Sequence, residues 1–252
     1  MARARGGAIP VNNAIYAGLG EQWYASEDSP VGLLRAESKL RNPWLAARLR
    51  EGFPDRPCRV LDVGCGAGFL SNYLAAQGEA VTGIDTSADA LAVAHEHDSS
   101  GRVRYFEADA LSLPFEDRCF DAVCAMDFLE HVETPERAIA EASRVLIPGG
   151  LFFFHTFNRG LLSWLVIIKG VDWFVLNAPP HMHVLHLFLK PRELRAACLA
   201  HGLEAPRLIG VRPKLTSPLW KMLLTGRVAP DFAFTFTRST RLAYTGVARK
   251  RS

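Results

Sequence analysis

The residues of this chain whose types and spacing could do chemistry begin with Asp62, Gly64, Gly66 and Gly68, in Arg59-Val-Leu-Asp-Val-Gly-Cys-Gly-Ala-Gly-Phe69. An apolar run that breaks into alternating glycines, then shows helical spacing at Leu70, Tyr73 and Leu74, predicts strand, tight loop and helix. Glycine is needed where the backbone takes φ > 0 or lets a ligand approach closely. In the nicotinamide and flavin fingerprint G-x-G-x-x-G, a pyrophosphate rests on the helix N-terminus. Here Phe69 stands in place of the third fingerprint glycine, and Asp62 lies two residues before the first. A carboxylate there would repel a pyrophosphate. It suits a ligand that carries an ammonium and no phosphate, such as S-adenosylmethionine.

A second acid, Asp85, closes the apolar stretch Ala80-Val-Thr-Gly-Ile, about 20 residues beyond the glycines, where an acid can grip ribose hydroxyls. Further on, Asp127, Glu130 and His131 stand at i, i+3 and i+4. If a helical turn begins at Asp127, all three project to one side. Two carboxylates and an imidazole form an oxygen-rich set suited to Mg²⁺ or Mn²⁺, or His131 alone can act as a general base. The plainer alternative is that Asp127 caps a helix and the other two are ordinary polar residues. His181, His183 and His186 are read as neutral histidines lining an apolar pocket in preference to a zinc cluster.

These residues need elements to place them. Strands are predicted at 59–63, 80–84, 103–107, 120–125, 151–156, 207–212 and 232–248, with Thr240–Ala248 as the final strand and the last pair antiparallel. Helices are predicted at 68–77, 87–97, 134–145 and 192–201. Alternating strands and helices imply right-handed βαβ units and a mostly parallel, doubly wound α/β sheet of seven strands. Ligands bind such sheets at the carboxyl ends of the strands, where Asp62, Asp85, Asp109 and Asp127 all fall. Residues 1–13 read as a disordered tail and 14–252 as one domain. Within it, 14–56 forms either a helical cap over the cleft or helices packed on the sheet's outer face.

Composition bounds the rest. Apolar residues make up 49% of the 252-residue chain and charged residues 22%, with a net charge of +3. That is globular, and too weakly basic for a dedicated nucleic-acid binder, although Arg and Lys gather at both ends. Five cysteines without metal-ligand spacing fit reduced thiols in a cytoplasmic protein, with no secretory signal in view. Residues 160–190 are mostly apolar and carry Trp164, Trp173 and Phe174. They are too short to cross a bilayer and suited to lie on one as a peripheral contact; the alternatives are a homodimer interface or plain core.

Asp62-x-Gly64-x-Gly66-x-Gly68, Asp85, Asp109 and Pro148-Gly-Gly150 together resemble the class I S-adenosylmethionine-dependent methyltransferases. More narrowly, Met126-Asp-Phe-Leu-Glu-His-Val132, Thr156-Phe-Asn-Arg159, Ser163-Trp-Leu165, His183 and Lys190-Pro-x-Glu-Leu194 resemble the ubiquinone-biosynthesis O-methyltransferases, which methylate hydroxyls of polyprenylated phenols and catechols. The resemblance implies cofactor binding by Asp62, Gly64, Gly66, Gly68, Asp85, Asp109 and Met126. It implies a metal held by Asp127, Glu130 and His131, and catalysis by His131, Glu130 and His183. Two departures stand out. The family has Asn-Pro-Leu-Arg where this chain has Asn42-Pro-Trp-Leu45, leaving Arg41 or Arg48 to replace the missing cation, and it has Glu at the place of Asp127. The rival readings are methylation of another hydrophobic small molecule and a non-catalytic cofactor-binding module.

Overall fold

The computed structural model describes residues 10–16 and 18–252; the expected disorder of residues 1–9 lies outside them. Pro10 to Asn13 are placed: the Asn12 amide donates to the His181 carbonyl at 2.9 Å, and a 3-10 turn spans Asn13–Tyr16. Then follow α1 (Gln22–Ala25), α2 (Val31–Gly52), β1 (Arg59–Val63), α3 (Phe69–Ala76), β2 (Ala80–Asp85), α4 (Ala88–Glu96), β3 (Arg104–Glu107) and β4 (Phe120–Met126). After a 3-10 turn at Leu129–His131 come α5 (Pro135–Val145) and β5 (Leu146–Phe157).

The segment after β5 is helical: α6 (Leu161–Ser163), a π-helical stretch at Trp164–Lys169 and α7 (Gly170–Phe174), with a 3-10 turn at Leu185–Leu187. The chain closes with α8 (Pro191–Ala200), β6 (Arg207–Pro213), α9 (Ser217–Thr225), β7 (Phe234–Thr237) and β8 (Ala243–Arg249).

The sheet runs β3-β2-β1-β4-β5-β8-β6-β7. The first five strands are mutually parallel and the last three antiparallel. It has eight strands where the sequence reading gave seven. The stretch read as one strand over 232–248 is split by a turn after Thr237, so β7 and β8 flank β6 on opposite sides.

Strand alternation divides the core. Leu61, Phe152 and Phe154 point to one face, where α5 and α8 contribute Ile139, Ala142, Leu194 and Cys198. Val60, Ala122 and Phe153 point to the other, where α2 and α3 contribute Leu45, Leu49, Leu70 and Leu74. Thus part of α2 packs on the sheet, while Tyr16 and Trp23 pack over the glycine loop against Ala67 and Phe69.

At the end of the sheet opposite the acids, the wholly buried Asp121 carboxylate ties β4 to β1. It accepts from the Arg59 backbone at 2.8 Å and from the Arg56 and Arg59 guanidinium groups. Burial opposes its charge, but these donors hold its carboxyl well below the usual range. Asp121→Ala leaves the Arg59 backbone donor without its partner and returns two half-exposed guanidinium groups to water, and is expected to cost about 2 kcal/mol. A urea titration should show a lower midpoint with an unchanged m-value.

Candidate active site

Parallel strands end on one edge, and the sequence-predicted acids sit there. Asp62, near the end of β1, is buried and its Oδ2 accepts from Ser71 Oγ at 2.6 Å. Burial pushes its carboxyl up to about 7, and a neighbouring ammonium would pull it back down. The loop after β1 is left-handed at Gly64, Gly66 and Gly68. A Cβ on Gly64 would lie 2.5 Å from the Phe128 ring, and one on Gly68 would lie 2.9 Å from the Ala94 Cβ. The acid of β2 fixes this loop: Asp85 Oδ2 accepts from the Gly66 amide and Oδ1 from the Ser87 amide, both at 2.9 Å. Ser87 Oγ then caps α4 through the Ala90 amide at 3.2 Å. After β3, the exposed Asp109 accepts from the Leu111 amide at 2.8 Å.

Asp62, Gly64, Gly66, Asp85, Asp109, Met126, Asp127, His131 and His183 line one cavity of about 970 Å³, and Tyr16, Trp23 and Arg41 form part of its wall. Gly68 and Glu130 do not line it. The cavity continues between Leu165, Val166, Trp173, Phe174, Leu219, Met222 and Phe234, an almost wholly apolar lining.

The structure does not bring Asp127, Glu130 and His131 together as the expected metal ligands. The helical turn does not begin at Asp127. That residue is left-handed, with φ of 56°, and the 3-10 turn starts only at Leu129. The three side chains have separate partners. Arg41 grips both Asp127 oxygens through its two terminal nitrogens, Nη1 to Oδ1 at 2.7 Å. Glu130 is fully buried and its Oε2 accepts from Thr156 Oγ1 at 2.7 Å. Burial, then the Asp127 charge, push the Glu130 carboxyl up; burial would do the same to Asp127, but the Arg41 guanidinium holds it down. Asp127 is committed to a guanidinium and Glu130 to a hydroxyl, and among the described residues the one set of three whose ligand atoms converge is Glu37, Asp127 and His155, so Asp127, Glu130 and His131 as placed do not fit the ion.

His131 is better defined. Asn13 Nδ2 donates to the His131 carbonyl at 3.1 Å, which orients the amide so that its Oδ1 faces His131 Nδ1, also at 3.1 Å. Oδ1 only accepts, so Nδ1 carries the proton and Nε2 keeps its lone pair. Burial lowers His131 to about 4 and His183 to about 3, so both rings are neutral at pH 7. Their centroids are 5.3 Å apart. Asn13 escaped the sequence reading because it precedes any periodic segment. Of the two arginines offered for the missing family cation, Arg41 is buried in the cavity wall, whereas Arg48 is 43% exposed and bonded to Glu51.

The methyltransferase domain model matches residues 61–154. Among solved structures, magnesium protoporphyrin IX methyltransferase from Synechocystis PCC 6803 with bound S-adenosylhomocysteine aligns with a TM-score of 0.56 at 19% identity, covering 85% of this chain and 83% of that one. The PH0226 protein of Pyrococcus horikoshii OT3 gives a TM-score of 0.56 at 20% identity over 94% and 96%. Fold, glycine loop and acid-lined edge thus define an S-adenosylmethionine-dependent methyltransferase. A ubiquinone biosynthesis O-methyltransferase of Aromatoleum aromaticum is 35% identical over 81% of this chain and 86% of its own length. That of Thiobacillus denitrificans is 34% identical over 90% and 95%. The chain belongs to the ubiquinone biosynthesis O-methyltransferase family.

The cofactor fits the residues present: a loop that admits no Cβ at Gly64, a buried acid beside it and a second acid at the next strand end. Asp85→Ala removes the acceptor of two backbone amides, and is expected to weaken adenosylhomocysteine binding at least tenfold, about 1.4 kcal/mol. Titration calorimetry would measure it.

Proposed function

We propose that the chain methylates a hydroxyl of a hydrophobic, polyprenylated phenol or catechol in ubiquinone biosynthesis, with His131 as general base. The observation that carries this reading is the single cavity whose cofactor-facing end bears His131 and His183 and whose other end is apolar. Bound S-adenosylmethionine would supply the electrophilic methyl group; the protein aligns the attacking oxygen and removes its proton. Asp62, the glycine loop, Asp85 and Asp109 hold the cofactor in this proposal, with Met126 in the wall beside it. A phenol titrates near 10, so at neutral pH it needs a base. The Nε2 lone pair of His131 is that base. His183, its neutral neighbour, orients the same hydroxyl. Glu130 lies behind the cavity wall and supports the turn carrying His131 through its bond to Thr156.

The apolar end suggests where the substrate comes from. Leu161 (78% exposed), Trp173 (62%), Leu215 (70%), Trp220 (58%) and Leu224 (87%) leave large apolar side chains in solvent. Of these, Trp173 lies on α7 and Trp220 and Leu224 on α9, and the two helices pack together through Val171, Val175, Leu219, Met222 and Leu223. Exposed Lys214, Lys221 and Arg227 lie on and beside α9. Among the described residues no helix is long and apolar enough to cross a membrane. Apolar side chains interleaved with cations suit peripheral contact with an anionic bilayer.

Two outcomes are expected. Because burial lowers His131 to about 4, the base stays neutral as pH falls below 6.5. The acid limb of the kcat/KM profile, followed by transfer of labelled methyl to a prenylated catechol, should lie near 4, and His131→Ala should lower the rate ~100-fold or more. An acid limb at the ordinary histidine value would remove His131 from the role. Flotation with anionic vesicles should recover the wild-type chain, and Trp220→Glu with Leu224→Glu should release it, leaving turnover of a short-tailed catechol unchanged.

A further inference from the structure

Behind His131 lies a charged cluster to which the proposed mechanism assigns no role. Glu37 from α2, Asp127 after β4 and His155 from β5 each offer one ligand atom, and these atoms lie within 4.8 Å of one another. Among the described residues they are the one such set of three. His155 is fully buried. Its Nε2 lies 3.2 Å from Glu37 Oε1 and 3.7 Å from Asp127 Oδ1, yet neither ring nitrogen has a partner aligned as a hydrogen bond. Two acids and an unpartnered imidazole converging in a buried site form a ligand set for a divalent cation.

A cation is already there. The Arg41 side chain is 2% exposed, forks onto both Asp127 oxygens and lies 3.9 Å from Glu37 Oε2. A bidentate guanidinium–carboxylate pair is strong, directional and permanently charged. Bringing a metal to Asp127 would break that pair and place two cations side by side in a buried site, where charge repulsion is costly.

We propose that Arg41 is this chain's resident cation. Its guanidinium fills the place that a divalent metal would take among Glu37, Asp127 and His155, so the protein binds no such metal while Arg41 is present. Removing Arg41 opens a metal site. Position 41 lines the large cavity, which gives a metal its entry path. The consequence for turnover, that methyl transfer is independent of divalent metal, rests on the methyltransferase reading; metal binding does not.

The test measures Mn²⁺ binding by electron paramagnetic resonance and calorimetry, beside methyl transfer with and without a chelator. The full-length wild-type chain is expected to bind no stoichiometric Mn²⁺ and to keep its whole rate after chelation. Arg41→Ala is expected to bind one equivalent, and the added substitution His155→Ala to abolish that binding. Arg41→Lys, which restores a cation, is expected to remain free of Mn²⁺. Stoichiometric Mn²⁺ on the wild-type chain, a rate lost to chelator and restored by Mg²⁺, or a folded Arg41→Ala variant that binds no Mn²⁺ would each overturn the proposal. If Arg41→Ala does not fold, the wild-type titration and chelation still decide it. Adenosylhomocysteine binding, followed separately, shows whether the methyltransferase reading itself has failed.

Discussion

Parallel pairing of β1, β2 and β4 is the constraint from which the site follows. Asp62 pairs with Gly83 on one side and Cys124 on the other, so all three strands run out along the same edge. Whatever polar residue follows each apolar run is delivered there: Asp85 from β2, Asp127 from β4 and the glycine loop from β1. Because the strands are hydrogen-bonded to one another, and β1 and β4 are also tied at their far ends by Asp121, none of these groups can move without disturbing its neighbours.

Much of this was legible because its causes are local. The glycine loop reads from its spacing, since positive φ at Gly64, Gly66 and Gly68 restricts the residue type. The strands read from their apolar runs, and β1 falls on the expected residues 59–63. Where the reading failed, the cause was distant. The turn at Asp127 looked helical from i, i+3 and i+4 spacing, but a guanidinium 86 positions earlier holds its side chain elsewhere. Asn13 and His131 lie 118 positions apart, and no local pattern joins them. The additional strand was hidden for another reason: β7 has four residues, too few for alternation to mark a break.

Two positions at which the resemblance implied a departure sit in one arrangement. Leu45 is buried in the contact of α2 with the sheet. Arg41 lies one helical turn earlier, on the same side of α2, and its partner is Asp127. Beside that pair lies the Glu37 carboxylate, 3.9 Å from Arg41, while burial keeps His131 and His183 neutral and Glu130 is held toward its acid form.

The lining of the cavity changes character along its length. Tyr16 and Trp23, on the segment that also brings Asn13 to His131, stand over the glycine loop, while the part between α7 and α9 is walled by apolar side chains. On the proposed function, a charged methyl donor and a hydrophobic acceptor would each meet a wall of its own kind, so a change in the acceptor's tail would fall on α7 and α9 and leave the loop that grips the donor untouched.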